Sequence, residues 1–239
     1  QGDYAASARL KKQVLQMAQE LKDRHKEAFT MNSLGLLAGH QHDYSLARKN
    51  LDKALSIYRD IGNRRGIGVV LNNLGTIAHM LGDYEQARLF YENSLSIRRE
   101  TGERQGQVIN LNNLGEVFAK QQQFAEARAY FEQCLQIERE LGLRHAQAIT
   151  LFVYAETLIA LNELLLAEKN MQTTLLLRYE LNQETHHLLP PQLGLAHIAH
   201  LNGAHDKAQA GLELIMAELS SQTLDGLGDP FGFYWLCYK

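Results

Sequence analysis

The side chains in this chain with the most recognition chemistry are amides set at a fixed interval. Asn32-Ser33, Asn72-Asn73 and Asn112-Asn113 each precede a Leu-Gly pair, forty residues apart. A carboxamide carries both donors and an acceptor, so a ladder of them could bond the backbone of an extended peptide whatever its sequence. The alternative is structural, with one Asn of each pair bonding an adjacent helix. A second ladder is Arg24, Arg64, Arg104 and Arg144, again forty apart, and Glu184 breaks it. Each Arg opens a helix, where a cation opposes the dipole. Asp60, Glu100, Glu103 and Glu140 are the acids available to hold them. Either the array ties itself together through these pairs, or the edge captures acidic residues of a partner. His186, His187, His197, His200 and His205 cluster late in the chain. They lack an accompanying Cys pair or a His-Glu-x-x-His spacing, so no metal is assigned. Neither a nucleophile elbow, a Gly-rich phosphate loop nor a paired-carboxylate site is present. Glu116 and Glu156 stand one unit apart, too far for shared proton chemistry. The chain reads as non-catalytic, without a cofactor.

These side chains are carried by a repeating element. A small residue lies twelve positions after each glycine: Ala47, Ala87 and Ala127, continued by Ala155 with Ala167 and by Ala196 with Ala208. The large partner series is Leu51, Tyr91, Phe131, Met171 and Leu212. Small and large residues at fixed helical positions let two helices pack without voids. Turns at His42-Asp43, Gly82-Asp83 and Gln122-Gln123 split each unit into two helices, and Asp can cap the second. Gly62, Gly102 and Gly142 suit the left-handed residue past a helix end, with Asn182 in the same slot of the fourth unit. Apolar residues recur at three and four steps and alternating runs are absent. The expectation is an all-α, right-handed superhelical solenoid of antiparallel helix pairs, with five to six repeats. The units run 1–22 (partial), 23–62, 63–102, 103–142, 143–182, 183–222 and 223–239 (partial), in a single domain over 1–239. Pro190 and Pro191 fall where earlier units are already helical, so the fifth first-helix should be shortened or kinked.

Leu-Gly, then Ala twelve on, then a large apolar residue and a further small one resemble the tetratricopeptide repeat, in a forty-residue form. That form is similar to the repeats of G-protein-signalling modulators, kinesin light chains and bacterial regulators. The resemblance implies that first helices line an inner, concave face, which binds a peptide segment or a partner domain. The groove residues are then Asn32, Asn72, Asn73, Thr76, His79, Asn112, Asn113, Glu116, Phe152, Glu156, His197 and His200. The face begins amide-rich and turns apolar at Phe152, Val153, Ile159 and Leu193. A small-metabolite sensor in a bacterial regulator is the alternative.

The 239 residues carry 24 Lys plus Arg against 27 Asp plus Glu, a net charge of −3. Nothing basic enough for direct nucleic-acid binding appears, and no apolar stretch spans a membrane. The two cysteines, Cys134 and Cys237, lie in different units and fit a reduced, cytoplasmic setting. Both ends read as cut within a unit of a longer regulatory or scaffold protein. The aromatic run Phe231, Phe233, Tyr234, Trp235 is expected to leave an apolar face for self-association.

Overall fold

The computed structural model describes residues 4–181 and 185–220. These form α-helices of 16 to 18 residues, with no strand among the described residues. The chain divides into two compact units, Gln1–Gln122 and Gln123–Lys239. The first holds α1 (Tyr4–Glu20), α2 (Arg24–His40), α3 (Tyr44–Asp60), α4 (Arg64–Met80), α5 (Tyr84–Glu100) and α6 (Arg104–Lys120). The second holds α7 (Phe124–Leu141), α8 (Arg144–Ala160), α9 (Leu164–Glu180), α10 (Thr185–Leu201) and α11 (His205–Ser220). The asparagine expected to end a helix at 182 and the aromatic run after 230 lie outside the described residues.

The starts of α2 to α5 follow from side-chain caps. Asp23, Asp43, Asn63 and Asp83 accept from the backbone N–H three residues on, at 2.9, 3.0, 2.8 and 3.1 Å. Helices α2 and α3, and α4 and α5, pack as pairs, and each second helix then packs on the following first helix. The Leu-Gly register has a steric cause. A Cβ on Gly75 would lie 2.6 Å from the Tyr91 ring, and one on Gly35 would lie 2.7 Å from Leu51 Cγ. The glycine is where the large residue of the second helix rests its side chain, and any larger residue would collide. Ala47 and Ala87 are fully buried beside Leu51 and Tyr91. Ala87→Leu is therefore expected to cost about 1–3 kcal/mol by overpacking, read as a lower urea midpoint with unchanged slope. A midpoint at the wild-type value would count against this register.

In the second unit, α8 pairs with α9 and α10 with α11, while α7 packs on α8 and α9 on α10. Ala127, Phe131, Ala155 and Ala167 are fully buried. The shortened helix expected at Pro190 and Pro191 does not occur. Helix α10 keeps 17 residues, with both prolines inside it. Proline at 191 removes the N–H that would bond the carbonyl of His187. That carbonyl accepts instead from the guanidinium of Arg178 on α9, so the gap left by Pro191 is filled from another helix.

Arg178 belongs to a recurring position in the last turn of the second helices. Tyr58, Arg98, Glu138 and Arg178 occupy it, and all four are buried. Within the first unit, Tyr58 lies against Gly66, where a Cβ would be 2.6 Å from its ring, and Arg98 donates to the carbonyl of Gly106. Each side chain wedges the joint between a second helix and the next first helix.

Candidate interaction face

Residues three, four and seven apart share one side of a helix. On α2 this joins Phe29, Asn32, Ser33 and Leu36. On α4 it joins Val69, Asn72, Asn73 and Thr76, and on α6 Ile109, Asn112, Asn113 and Glu116. This side of the first helices in the first unit holds an inner amide row. Asn73 Nδ2 donates to Asn32 Oδ1 at 2.8 Å, and Asn113 Nδ2 donates to Asn72 Oδ1 at 3.2 Å. Asn110, fully buried, also donates to Asn72 Oδ1 at 3.2 Å and accepts from the Ser94 hydroxyl at 3.0 Å. Asn72 donates in turn to Asn73 Oδ1 at 3.4 Å. The amides thus tie α2, α4 and α6 to one another, and Asn32 is buried beneath them. Asn112 differs: its Nδ2 donates to Glu116 Oε1 at 2.7 Å, one turn along the same helix.

Three titratable groups sit on or behind this face. Burial raises the Glu116 carboxyl above its usual range, against the opposing pull of the Asn112 bond and Lys120. Burial and Lys120 together lower the His79 imidazole, whose ring centroid lies 5.5 Å from that of Tyr84. The Tyr91 hydroxyl donates to Thr76 Oγ1 at 3.3 Å and is pushed up to about 12, chiefly by burial. At neutral pH the face therefore offers a neutral imidazole, an acid whose charge burial disfavours, and hydroxyls.

In the second unit the corresponding positions carry other chemistry. Phe152 is half-buried under the Arg178 guanidinium, 5.4 Å from its ring centroid. Glu156 is exposed, as are His197 and His200, and the His200 ring stands 5.1 Å from that of His205. No group of three His, Cys, Asp or Glu is placed to hold a metal ion among the described residues.

The arginines at the helix starts are engaged. Arg24 donates to Asp60 at 3.2 Å and to Glu27 at 2.8 Å, Arg64 pairs with Glu100, and in the second unit Arg144 pairs with Glu180. The ties to Asp60, Glu100 and Glu180 each join the start of a first helix to the end of its own second helix. Each sets an unfavourable cation against an unfavourable anion. All are solvent-exposed pairs of small energetic weight.

Sequence reasoning missed an outer apolar row. Phe29 is 59% and Ile109 49% exposed, with half-buried Val69 between them in the same forty-residue register. In the second unit Ile149 stands at the matching position, 42% exposed. Following the face one turn further back from each asparagine finds them. Asn110 was missed too: its slot holds Thr30, Val70 and Thr150 in the other units, so a polar residue there does not stand out.

No helix among the described residues is long and apolar enough to cross a membrane. A family model for the tetratricopeptide repeat matches residues 1–60, 36–100 and 106–178. Comparison with curated proteins gives no match. Among solved structures, BtubC (BKLC) from P. vanneervenii is similar over 96% of this chain and 95% of its own, with TM-score 0.80 and 16% identity. The apo quorum sensor NprR from B. thuringiensis covers 99% of this chain and 63% of its own, with TM-score 0.73 and 15% identity. A Rap protein complexed with competence and sporulation factor covers 82% and 54%, with TM-score 0.66 and 14% identity. At these identities the likeness is one of fold.

Proposed function

The chain belongs to the tetratricopeptide repeat family, and from that premise we propose that it is a non-catalytic interaction module. In this reading the open side of its first helices takes a peptide segment or partner domain. The observation that carries the reading is the outer row: Phe29, Val69 and Ile109 repeat every forty residues beside the amides, and two of the three are more than a third exposed. Large apolar side chains left in water on a regular spacing are what a partner would cover. The amides contribute less directly, because Asn73, Asn110 and Asn113 already donate to neighbouring helices. Asn112, Glu116, Thr76 and His79 supply the polar contacts of this proposal. A Rap protein with its bound factor shares the fold, which supports a binding role without identifying a ligand here.

Random peptides displayed on phage and selected against the full chain test the reading. Selected peptides should compete with one another for one surface. The double variant Phe29→Asp with Ile109→Asp should lose their binding by at least about tenfold, roughly 1.4 kcal/mol. Its melting temperature should stay near the wild-type value, since both residues are on the surface. Undiminished binding to a folded double variant would place the interaction elsewhere.

A further inference from the structure

Glu138 is the odd member of the wedge position. It is 1% exposed, in the last turn of α7. Its Oε1 accepts from the Thr150 hydroxyl of α8 at 2.8 Å and from the Cys134 thiol at 3.6 Å. Its Oε2 is buried with no hydrogen-bond partner. The arginines at this position in other joints meet burial by donating to a carbonyl of the following helix, Arg98 to Gly106 and Arg178 to His187. A carboxylate has no proton to donate. An ionised Glu138 would therefore leave a charge in the joint with half its acceptor capacity unmet, which is costly away from water. A neutral carboxyl avoids most of that cost.

We propose that the α7/α8 joint is a proton-operated latch, closed while Glu138 carries its proton and loosened when the proton leaves. The surrounding groups support this. Helix α8, packed on α7 in this unit, faces the carboxyl with Thr150, which is neutral. The charge acting on it comes from Arg139, the next residue of α7 itself. Burial outweighs Arg139 and both hydrogen bonds and raises the carboxyl above its usual range. The sign follows from linkage: with the folded-state value above the unfolded one, the contribution to stability is complete below the unfolded carboxylate range. It is lost as pH rises through the folded-state value. The joint should therefore tighten in mild acid and loosen toward neutral and alkaline pH.

Two readouts on the full chain test this, both in a Cys237→Ser background so that Cys134 is the remaining thiol. Glu138→Gln keeps the shape and removes the charge. The melting temperature of Glu138→Gln minus that of wild type should be near zero below the ordinary carboxylate range and grow as pH rises above that range. Labelling of Cys134 by a disulfide reagent, corrected for thiolate fraction, should accelerate by up to roughly tenfold per pH unit in wild type. In the variant it should stay slow. Glu138→Leu serves as a second neutral wedge and should match the Gln variant. A melting-temperature difference that does not change with pH, in whichever variant folds, overturns the latch. So does corrected labelling with the same pH slope in wild type and variant.

Discussion

Phe131→Ala is expected to cost about 3–5 kcal/mol of stability, a large share of what a domain of this size holds. Phe131 is fully buried on α7, and its ring stacks on that of Tyr154 from α8 with centroids 5.7 Å apart and planes at 29°. Its neighbours in the register, Ala127 and Ala155, are already small and fully buried, so no long side chain stands ready to fill the space. A cavity that cannot collapse keeps its full penalty. Urea denaturation followed by circular dichroism reads this directly. A loss below about 1 kcal/mol would mean that the small and large positions do not interlock as the structure places them.

Asn72→Ala is expected to cost about 1–3 kcal/mol even though Asn72 stands on the side proposed to meet a partner. Its carbonyl oxygen receives two donors, one from fully buried Asn110 and one from Asn113. Truncation leaves the Asn110 amide buried without its acceptor, and an orphaned donor of this kind carries the full desolvation penalty. Asn112→Ala should cost less, because its bond to Glu116 is one turn long within α6. Melting temperatures of the two single variants separate the roles. Equal losses would show that the inter-helix ladder contributes nothing special.

The fold was legible because its determinants are local and periodic. Gly75 and Tyr91 lie sixteen residues apart, yet their pairing repeats as Gly35 with Leu51, so spacing alone exposed it. The amide ladder was legible as a ladder but not in its direction. Adjacent residues on a helix point about 100° apart, which turns Asn73 back to α2 while Asn72 faces α6. Which of two neighbouring asparagines stays toward solvent depends on where the next helix lies. The length of α10 was not legible from its prolines for a related reason. The local rule counts a missing N–H, whereas the compensating donor, Arg178, comes from α9. Glu138 was invisible as a special residue, because a single acid on a helix rich in acids carries no signal until its burial is known.

The helix starts are not equally secured. Asp23, Asp43, Asn63 and Asp83 close the first turns of α2 to α5, while Glu103, Gln123, Leu143 and Glu163 make no such bond at α6 to α9. An uncapped first turn frays, and fraying is the cheapest opening a helix has. The backbone amides at the starts of α6 to α9 therefore meet water more often than those of α2 to α5. Solvent exchange and protease attack would reach them sooner than the starts of α2 to α5, before any global unfolding.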